Sequence, residues 1–360
     1  MTASMLPPGS TIGILGGGQL GRMLALAAAR LGFDVHIFTD EADSPAARVA
    51  AKTSVAAYDD EAVLRAFASH VGVVTMEFEN VPALTANILA DAGAIVRPGA
   101  SALATAQDRV LEKTFLNAAS VTTTPFAAIG CEADLQRALD TIGAPAILKT
   151  RRMGYDGKGQ ARIARVEDAA AAFDLIGRQP AILEALAPFE REVSVIAARG
   201  LDGEFAAFDV CENVHELGIL HVTRVPSAVS ASVAHEAVAS VRRVAEALDY
   251  VGVLCVEFFV LPDGRLLANE IAPRVHNSGH WTEAACLTSQ FEQQIRAVAG
   301  WRLGPTTRFA DVEMTNLIGA EAAQWAALAA DPDVRLHLYG KRDVRDGRKM
   351  GHVTKLKRLL

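Results

Sequence analysis

The first hundred residues alternate short apolar runs with helix-spaced segments, and no other feature limits the fold as strongly. TIGIL reads as a buried strand, QLGRMLALAAARLG as a helix and DVHIFT as a second strand. EAVLRAFASHV (helix), GVVTMEF (strand), PALTANILADAG (helix) and AIVRP (strand) continue the series. Strands separated by helices of this length need crossover connections, so the spacing predicts a parallel α/β sheet. The turn after the first strand carries Gly16-x-Gly18-x-x-Gly21, and Asp40 follows the second strand. That is the spacing of a dinucleotide fingerprint, in which a helix N-terminus takes a pyrophosphate and the acid a ribose hydroxyl. A nicotinamide enzyme is one reading of it.

The pattern then changes. SALATAQDRVLEKTFLNAAS reads as helix up to about residue 119, and PAILKTRR, AILEALAPFEREVSVIAAR and EFAAFDVCENVHELGILHVTRVPS read as antiparallel strands. A helix over 233–248 precedes GVLCVEFFVLPDGRLLANEIAP, a hairpin turning at Pro262-Asp263-Gly264. The last sixty residues read as a small unit of their own. A chain of 360 residues exceeds what one core usually supports, and the expected divisions are 1–108, 109–300 and 301–360.

A net charge of −7 argues against nucleic acid as the main partner, since phosphate neutralisation needs a basic field. The four cysteines are scattered without a C-x-x-C pair, as in a reduced cytoplasmic protein. The N-terminus lacks the regions of a signal peptide, and no apolar run is long enough for a membrane span.

Five places carry chemistry. Glu257 and Glu270 lie at nearly equal distances from the hairpin turn, so antiparallel pairing can set them opposite each other on one face. Paired carboxylates raise each other's pKa unless a cation lies between them, and hard oxygen ligands suit Mg2+ bridging nucleotide phosphates. One exposed and one salt-bridged acid is the ordinary alternative. Lys149 ends a strand before a loop with Gly154, Gly157 and Gly159, which can bring backbone N–H groups to phosphates. This loop is not a P-loop. Glu184 ends another strand beside an apolar stretch that can border a base, and Glu192 can accept from a ribose. Arg274, His276, Asn277, Ser278 and His280 follow the second carboxylate strand as a dense donor set suited to an anion. Residues 341–360 hold eight Lys or Arg against two Asp.

GGGQLGRM, TMEFENVP, LKTRRMGYDGKGQ, PFEREVSV, VEFFV with LANEIAPRVHNSGHWT, and YGKRDVRDGRKMGHV occur in this order along nearly the whole chain. Together they resemble the N5-carboxyaminoimidazole ribonucleotide synthetases, the ATP-grasp carboxylases of purine synthesis. The resemblance implies an ATP-grasp fold with a Rossmann-like N-terminal α/β domain, a central ATP-grasp domain and a small C-terminal domain, forming a cytoplasmic homodimer. It implies ATP and Mg2+ as cofactors, and bicarbonate and 5-aminoimidazole ribonucleotide as substrates. By the same resemblance, Arg109, Lys149 and the loop of Gly154, Tyr155, Asp156, Gly157, Lys158, Gly159 and Gln160 hold the ATP phosphates. Glu184 with the backbone of Ala185, Leu186 and Ala187 borders the adenine, with Glu192 on the ribose and His215 nearby. Glu257 and Glu270 ligate Mg2+, flanked by Asn269. Gly18, Gln19, Leu20, Glu77, Tyr155, Asp156, Lys341 and Arg348 contact the ribonucleotide. Arg274, His276 and Asn277, with Asp156 and Lys341, lie at the reacting groups. On this reading the glycine turn is a fold signal, and Asp40 is an ordinary strand-end acid. Glu77 and Glu79 both face the cleft region, and the sequence leaves open which points inward. One departure is visible: LEALA has Ala185 where a glycine is expected after the glutamate.

Overall fold

The computed structural model describes residues 5–152 and 159–358. The N-terminal part runs β1 (Thr11–Leu15), α1 (Gln19–Arg30), β2 (Asp34–Thr39), β3 (Lys52–Val55), α2 (Glu61–Ala68), β4 (Val73–Met76), α3 (Ala83–Asp91), α4 (Ala100–Ala106) and α5 (Arg109–Ala118). Its strands form a parallel sheet ordered β3-β2-β1-β4, as the alternation predicts. Two details differ from expectation. AIVRP makes only an isolated bridge, Val74 to Val96, with the Val74 amide donating to the Ile95 carbonyl and the Arg97 amide to the Val74 carbonyl. The long helix is broken before residue 109, where the Asp108 carboxylate accepts from the amides of Val110 and Leu111 and starts α5 afresh.

β5 (Phe126–Ile129), α6 (Glu132–Ile142), β6 (Ala146–Thr150), β7 (Gln160–Ile163), α7 (Ala169–Leu175) and β8 (Ala181–Ala185) follow. The strands form an antiparallel sheet ordered β5-β8-β6-β7, and Leu135, Leu139 and Phe173 of the helices pack on its Leu148 and Leu183.

The remaining elements are β9 (Arg191–Arg199), β10 (Phe205–Ala207), β11 (Cys211–Glu216), β12 (Ile219–Val225), α8 (Ala231–Ala247), β13 (Gly252–Val260), β14 (Leu266–Ala272), α9 (Thr282–Ala285), α10 (Gln290–Val298), β15 (Ala310–Ile318), α11 (Trp325–Ala330), β16 (Val334–Leu338) and β17 (Lys349–Arg358). The strands join one sheet ordered β14-β13-β9-β11-β12-β15-β17-β16, with β10 on β9. The C-terminal strands therefore continue the central sheet through β12 and β15. Five steps separate β13 from β17, about 24 Å in a flat sheet. The loop after β14 spans part of this distance, with His276 beside Glu257 of β13 and Asn277 bonded to Asn316 of β15. Met23 and Leu24 of α1 share a core with Phe291 and Ile295 of α10, which fixes the parallel sheet against the large one.

Candidate active site

The β13–β14 hairpin turns at Gly264, whose φ of +82° favours glycine. From the turn, Val260 pairs with Leu266, Phe259 with Leu267 and Phe258 with Ala268. Regular continuation would set Glu257 opposite Asn269. A bulge adds one residue to β14 here, so that Glu257 pairs with Glu270. Burial, and after it the charge of Glu270, hold the Glu257 carboxyl well above the usual range. Arg109 Nη1 stands 3.7 Å from Glu270 Oε2. Two opposed hard-oxygen donors whose mutual charge is poorly compensated fit a divalent cation such as Mg2+.

Arg109, Glu112 and Lys113 share one face of α5. Glu112 Oε1 accepts from the Ile271 amide at 2.5 Å, while Lys113 Nζ donates to the carbonyls of Asn269 (3.0 Å) and Ala268 (3.5 Å). Burial, with Glu270 second, raises the Glu112 carboxyl to about 8. Lys113 also lies 3.2 Å from Glu184 Oε2, and Lys149 Nζ contacts the same oxygen at 3.2 Å. The sheet register explains the second contact: Ile147 pairs with Glu184 and Lys149 with Ile182, so Lys149 and Glu184 are diagonal neighbours on one face. Burial would raise the Glu184 carboxyl, but the two ammonium groups overcome it and hold it at about 2. Lys149 is lowered by burial and by the charges of Lys113 and Arg109, against the pull of Glu184. Oε1 of Glu184 is buried and has no hydrogen-bond partner among the described residues, which leaves it open to a donor on a ligand.

His276 lies beyond β14, its Nε2 3.2 Å from Glu257 Oε1. The Ser278 amide donates to His276 Nδ1 at 3.3 Å, so Nδ1 is an acceptor and the proton of the neutral ring sits on Nε2, facing Glu257. Burial, then the charges of Arg274 and Lys349, keep the ring neutral. Behind it runs a buried chain: Ser278 Oγ to His276 Nδ1 at 2.8 Å, Ser194 to Ser278 at 2.7 Å, Asn213 Nδ2 to Ser194 at 2.9 Å and Thr223 to Asn213 Oδ1 at 3.0 Å. With Nδ1 an acceptor, each hydroxyl in the chain has one available direction. Asn277 exchanges two amide bonds with Asn316 of β15, at 2.9 and 2.7 Å. His215 Nδ1 lies 2.9 Å from Glu192 Oε2; burial opposes its charge, but Glu192 and Glu257 outweigh burial and raise its pKa.

The glycine turn is filled from within the chain. Glu77 accepts from the amides of Gly18 and, at 2.6 Å, Gly21, so its carboxylate caps α1. Gly16 has a φ of +111°, and a Cβ there would lie 2.2 Å from Glu77 Cγ. The position a pyrophosphate takes in a dinucleotide site is thus held by a side chain. Burial raises the Glu77 carboxyl against these amides and the charges of Arg274 and Lys341. Glu79 instead receives the Arg274 guanidinium through two bonds, the Nη2 one at 3.0 Å. Despite burial, Arg274 holds the Glu79 carboxyl below its usual range. Both acids therefore point inward, with different partners. The loop between β16 and β17 reaches the same rim: Arg342 pairs with Asp43 at 2.8 Å and Arg48 donates to the Gly340 carbonyl at 2.5 Å. Lys341 Nζ donates to the Lys349 carbonyl at 2.7 Å, and Arg348 Nη1 to the Asp343 carbonyl at 3.1 Å.

Arg109, Lys149, Glu184, Glu257, Glu270, Arg274 and His276 are thus brought together, with Glu192 and His215 at one side and Glu77, Gly18 and Lys341 at the other. Asn269 is the extra residue of the bulge. The amides of Ala185 and Leu186 donate to the carbonyls of Pro125 and Pro145. Ala185 is not among the positive-φ residues, so the alanine carries no backbone strain. Leu20 is buried in the core shared with α10. Gly154, Tyr155, Asp156, Gly157 and Lys158 lie outside the described residues. Sequence reasoning missed Glu112, Lys113, Ser194, Asn213, Thr223 and Asn316. For α5 a signal existed: three ionisable residues on the face that also carries the buried Leu116.

Three family models match in succession: a ribonucleotide synthetase preATP-grasp domain over residues 9–107, an ATP-grasp domain over 114–291 and a phosphoribosylaminoimidazole carboxylase C-terminal domain over 313–358. The chain is 54% identical over 359 residues to an N5-carboxyaminoimidazole ribonucleotide synthase of Brucella melitensis, covering 99% of each chain. It superposes on a solved N5-carboxyaminoimidazole ribonucleotide synthetase in complex with ADP with a TM-score of 0.94, at 39% identity over 99% of this chain and 94% of that one. The Aspergillus clavatus enzyme in complex with ADP and 5-aminoimidazole ribonucleotide gives a TM-score of 0.90 at 28% identity, over 97% and 94%. With three family models in succession and relatives matched from end to end, the chain belongs to the N5-carboxyaminoimidazole ribonucleotide synthase family of ATP-grasp proteins.

Proposed function

We propose that the protein uses ATP and bicarbonate to carboxylate 5-aminoimidazole ribonucleotide on its exocyclic amine, releasing ADP and phosphate, in purine synthesis. The observation that carries the reading is the opposed pair Glu257 and Glu270, with Arg109 3.7 Å from Glu270 and His276 3.2 Å from Glu257. Bicarbonate is a poor electrophile. Attack by its oxygen on the γ-phosphate gives carboxyphosphate and ADP; transfer of the carboxyl group to the amine then releases phosphate and a proton. Such phosphoryl transfer depends on positioning and charge neutralisation.

Arg109, Lys149 and the Gly154–Gln160 loop hold the ATP phosphates. Glu184, through its open Oε1, and the 185–187 backbone border the adenine, and Glu192 with His215 the ribose. Mg2+, held by Glu257 and Glu270, would supply charge neutralisation at the transferring phosphoryl group. Arg274, His276 and Asn277 position bicarbonate, with His276 kept in one tautomer by its hydroxyl chain. Gly18, Gln19, the backbone at Leu20, Glu77, Tyr155, Asp156, Lys341 and Arg348 take the ribonucleotide, the last two clamping its phosphate. The units run 1–108, 109–300 and 301–360, and the protein acts as a cytoplasmic homodimer. No helix among the described residues is long and apolar enough to cross a membrane.

Phosphate release measured with Mg2+, ATP, bicarbonate and 5-aminoimidazole ribonucleotide tests the reading. Release that needs all four is expected. Equal release with formate in place of bicarbonate, or with biotin in place of the ribonucleotide, would overturn it.

A further inference from the structure

The carboxylate pair exists only because β14 carries one extra residue, and the bulge is held from outside the sheet. Three backbone groups around it are taken by side chains of α5. Lys113 Nζ donates to the carbonyls of Ala268 and Asn269, Glu112 Oε1 accepts from the Ile271 amide, and Arg109 reaches the Glu270 carboxylate. Lys113 is 1% exposed and Glu112 2%, so neither is a solvated charge that happens to lie near. The Lys113 ammonium also grips Glu184 at 3.2 Å, so one cation spans the bulge and the acid of the opposite sheet.

We propose that Lys113 and Glu112 are positioning residues that set the register of the bulge, and thereby hold Glu257 and Glu270 opposed for a divalent cation. The proposal rests on the functional reading above for the identity of that cation's partner, a nucleotide. Its physical basis is simple. A bulge leaves ladder groups unpaired, and buried unpaired groups are costly unless side chains take them. Without the helix clamp, the regular register becomes available. It sets Asn269 opposite Glu257 and carries Glu270 one residue along the strand, to the other face. Lys113 makes the same choice of register depend on Glu184, which ties the proposed metal end of the cleft to the proposed adenine end.

The test compares wild type with Lys113→Met, Glu112→Ala and Glu112→Gln, using calorimetric titration of ADP with and without Mg2+. Wild type is expected to bind ADP more tightly with Mg2+. Lys113→Met and Glu112→Ala lose about 10- to 100-fold of the Mg2+-dependent affinity, as removal of a ligand-orienting partner does. Glu112→Gln keeps an acceptor for the Ile271 amide and stays within a few-fold of wild type. In steady state the half-saturating Mg2+ rises while the KM for the ribonucleotide stays constant. A folded Lys113→Met with wild-type Mg2+-dependent ADP affinity overturns the proposal. If that variant fails to fold, an unchanged Mg2+ dependence in Glu112→Ala overturns it equally. Wild-type protein that binds Mg2+ and ADP but carboxylates nothing would refute the function and leave this inference standing.

Discussion

Glu184 and Glu257 are both glutamates on interior strands of one cleft, and their surroundings drive them in opposite directions. Glu184 meets two ammonium groups on a single oxygen and is held at about 2, far below its ordinary 4.5. Glu257, which has His276 beside it, is pushed upward by burial and after it by the charge of Glu270. At one end of the cleft the acid is paired with cations of the chain, and at the other two carboxyls oppose each other. Opposed carboxyls raise each other's pKa unless a cation lies between them. The contrast separates an acid with one oxygen held by two cations of the chain from an acid that faces another carboxyl.

Four measurements can break or sharpen that contrast. The largest effect is expected from Glu184→Ala, which leaves Lys113 and Lys149 buried without their counter-ion. Loss of about 3–5 kcal/mol of stability in urea denaturation is expected, and a loss below 1 kcal/mol would erase the distinction. Glu270→Ala should do the reverse: folding survives while ATP-dependent phosphate release falls by about 10²–10³-fold. Retention of full turnover would make the pair structural. Next comes Gly16→Ala, whose Cβ would enter the space of Glu77 at a positive φ. A cost of about 1–3 kcal/mol and a weakened ribonucleotide KM are expected, with ATP affinity unchanged; a shift in ATP affinity alone would mean that the turn serves the nucleotide after all.

The smallest effect concerns pH. The depressed Glu184 carboxyl contributes stability above about pH 4.5 that is lost as pH falls toward 2, so Glu184→Gln should flatten the acid limb of a stability profile. Glu257 works in the opposite sense. Its folded pKa is raised, so in metal-free protein its contribution is present below pH 4.5 and declines as pH rises above that value. Glu257→Gln should remove this decline. A profile unchanged in both variants would mean that neither environment acts as described.

The parallel sheet was legible because β1, β2, β4 and their helices keep their periods, and the hairpin because its turn residues bracket two apolar runs. β3 escaped notice because KTSV lies at the sheet edge and buries no side chain fully. The facing of Glu257 and Glu270 was legible only approximately. Equal distance from the turn suggested it, but the pairing needs a one-residue bulge that no local rule marks, held by groups more than 150 positions away in the chain. Glu77 and Glu79 follow the end of β4 at Met76, where strand alternation stops applying, so their partners had to be seen. Nothing in the sequence around Lys113 marks what buries it, because the groups that contact it lie in β14 and β8. The hydroxyl chain behind His276 joins four separate strands and loops, and no spacing in the sequence brings them together.

The continuity of the large sheet has a mechanical consequence. β12 and β15 are laddered together, so the strands bearing Glu257 and Glu270 and the strand leading from the basic loop form a single jaw that cannot part without breaking backbone hydrogen bonds. The four-stranded sheet bearing Lys149 and Glu184 is the other jaw. Among the described residues it meets the first through side chains such as Lys113 and through the bridge from Thr123 to Ala268, next to the chain entering β5. An opening of the cleft that keeps these ladders intact is therefore a displacement of the four-stranded sheet against the large one.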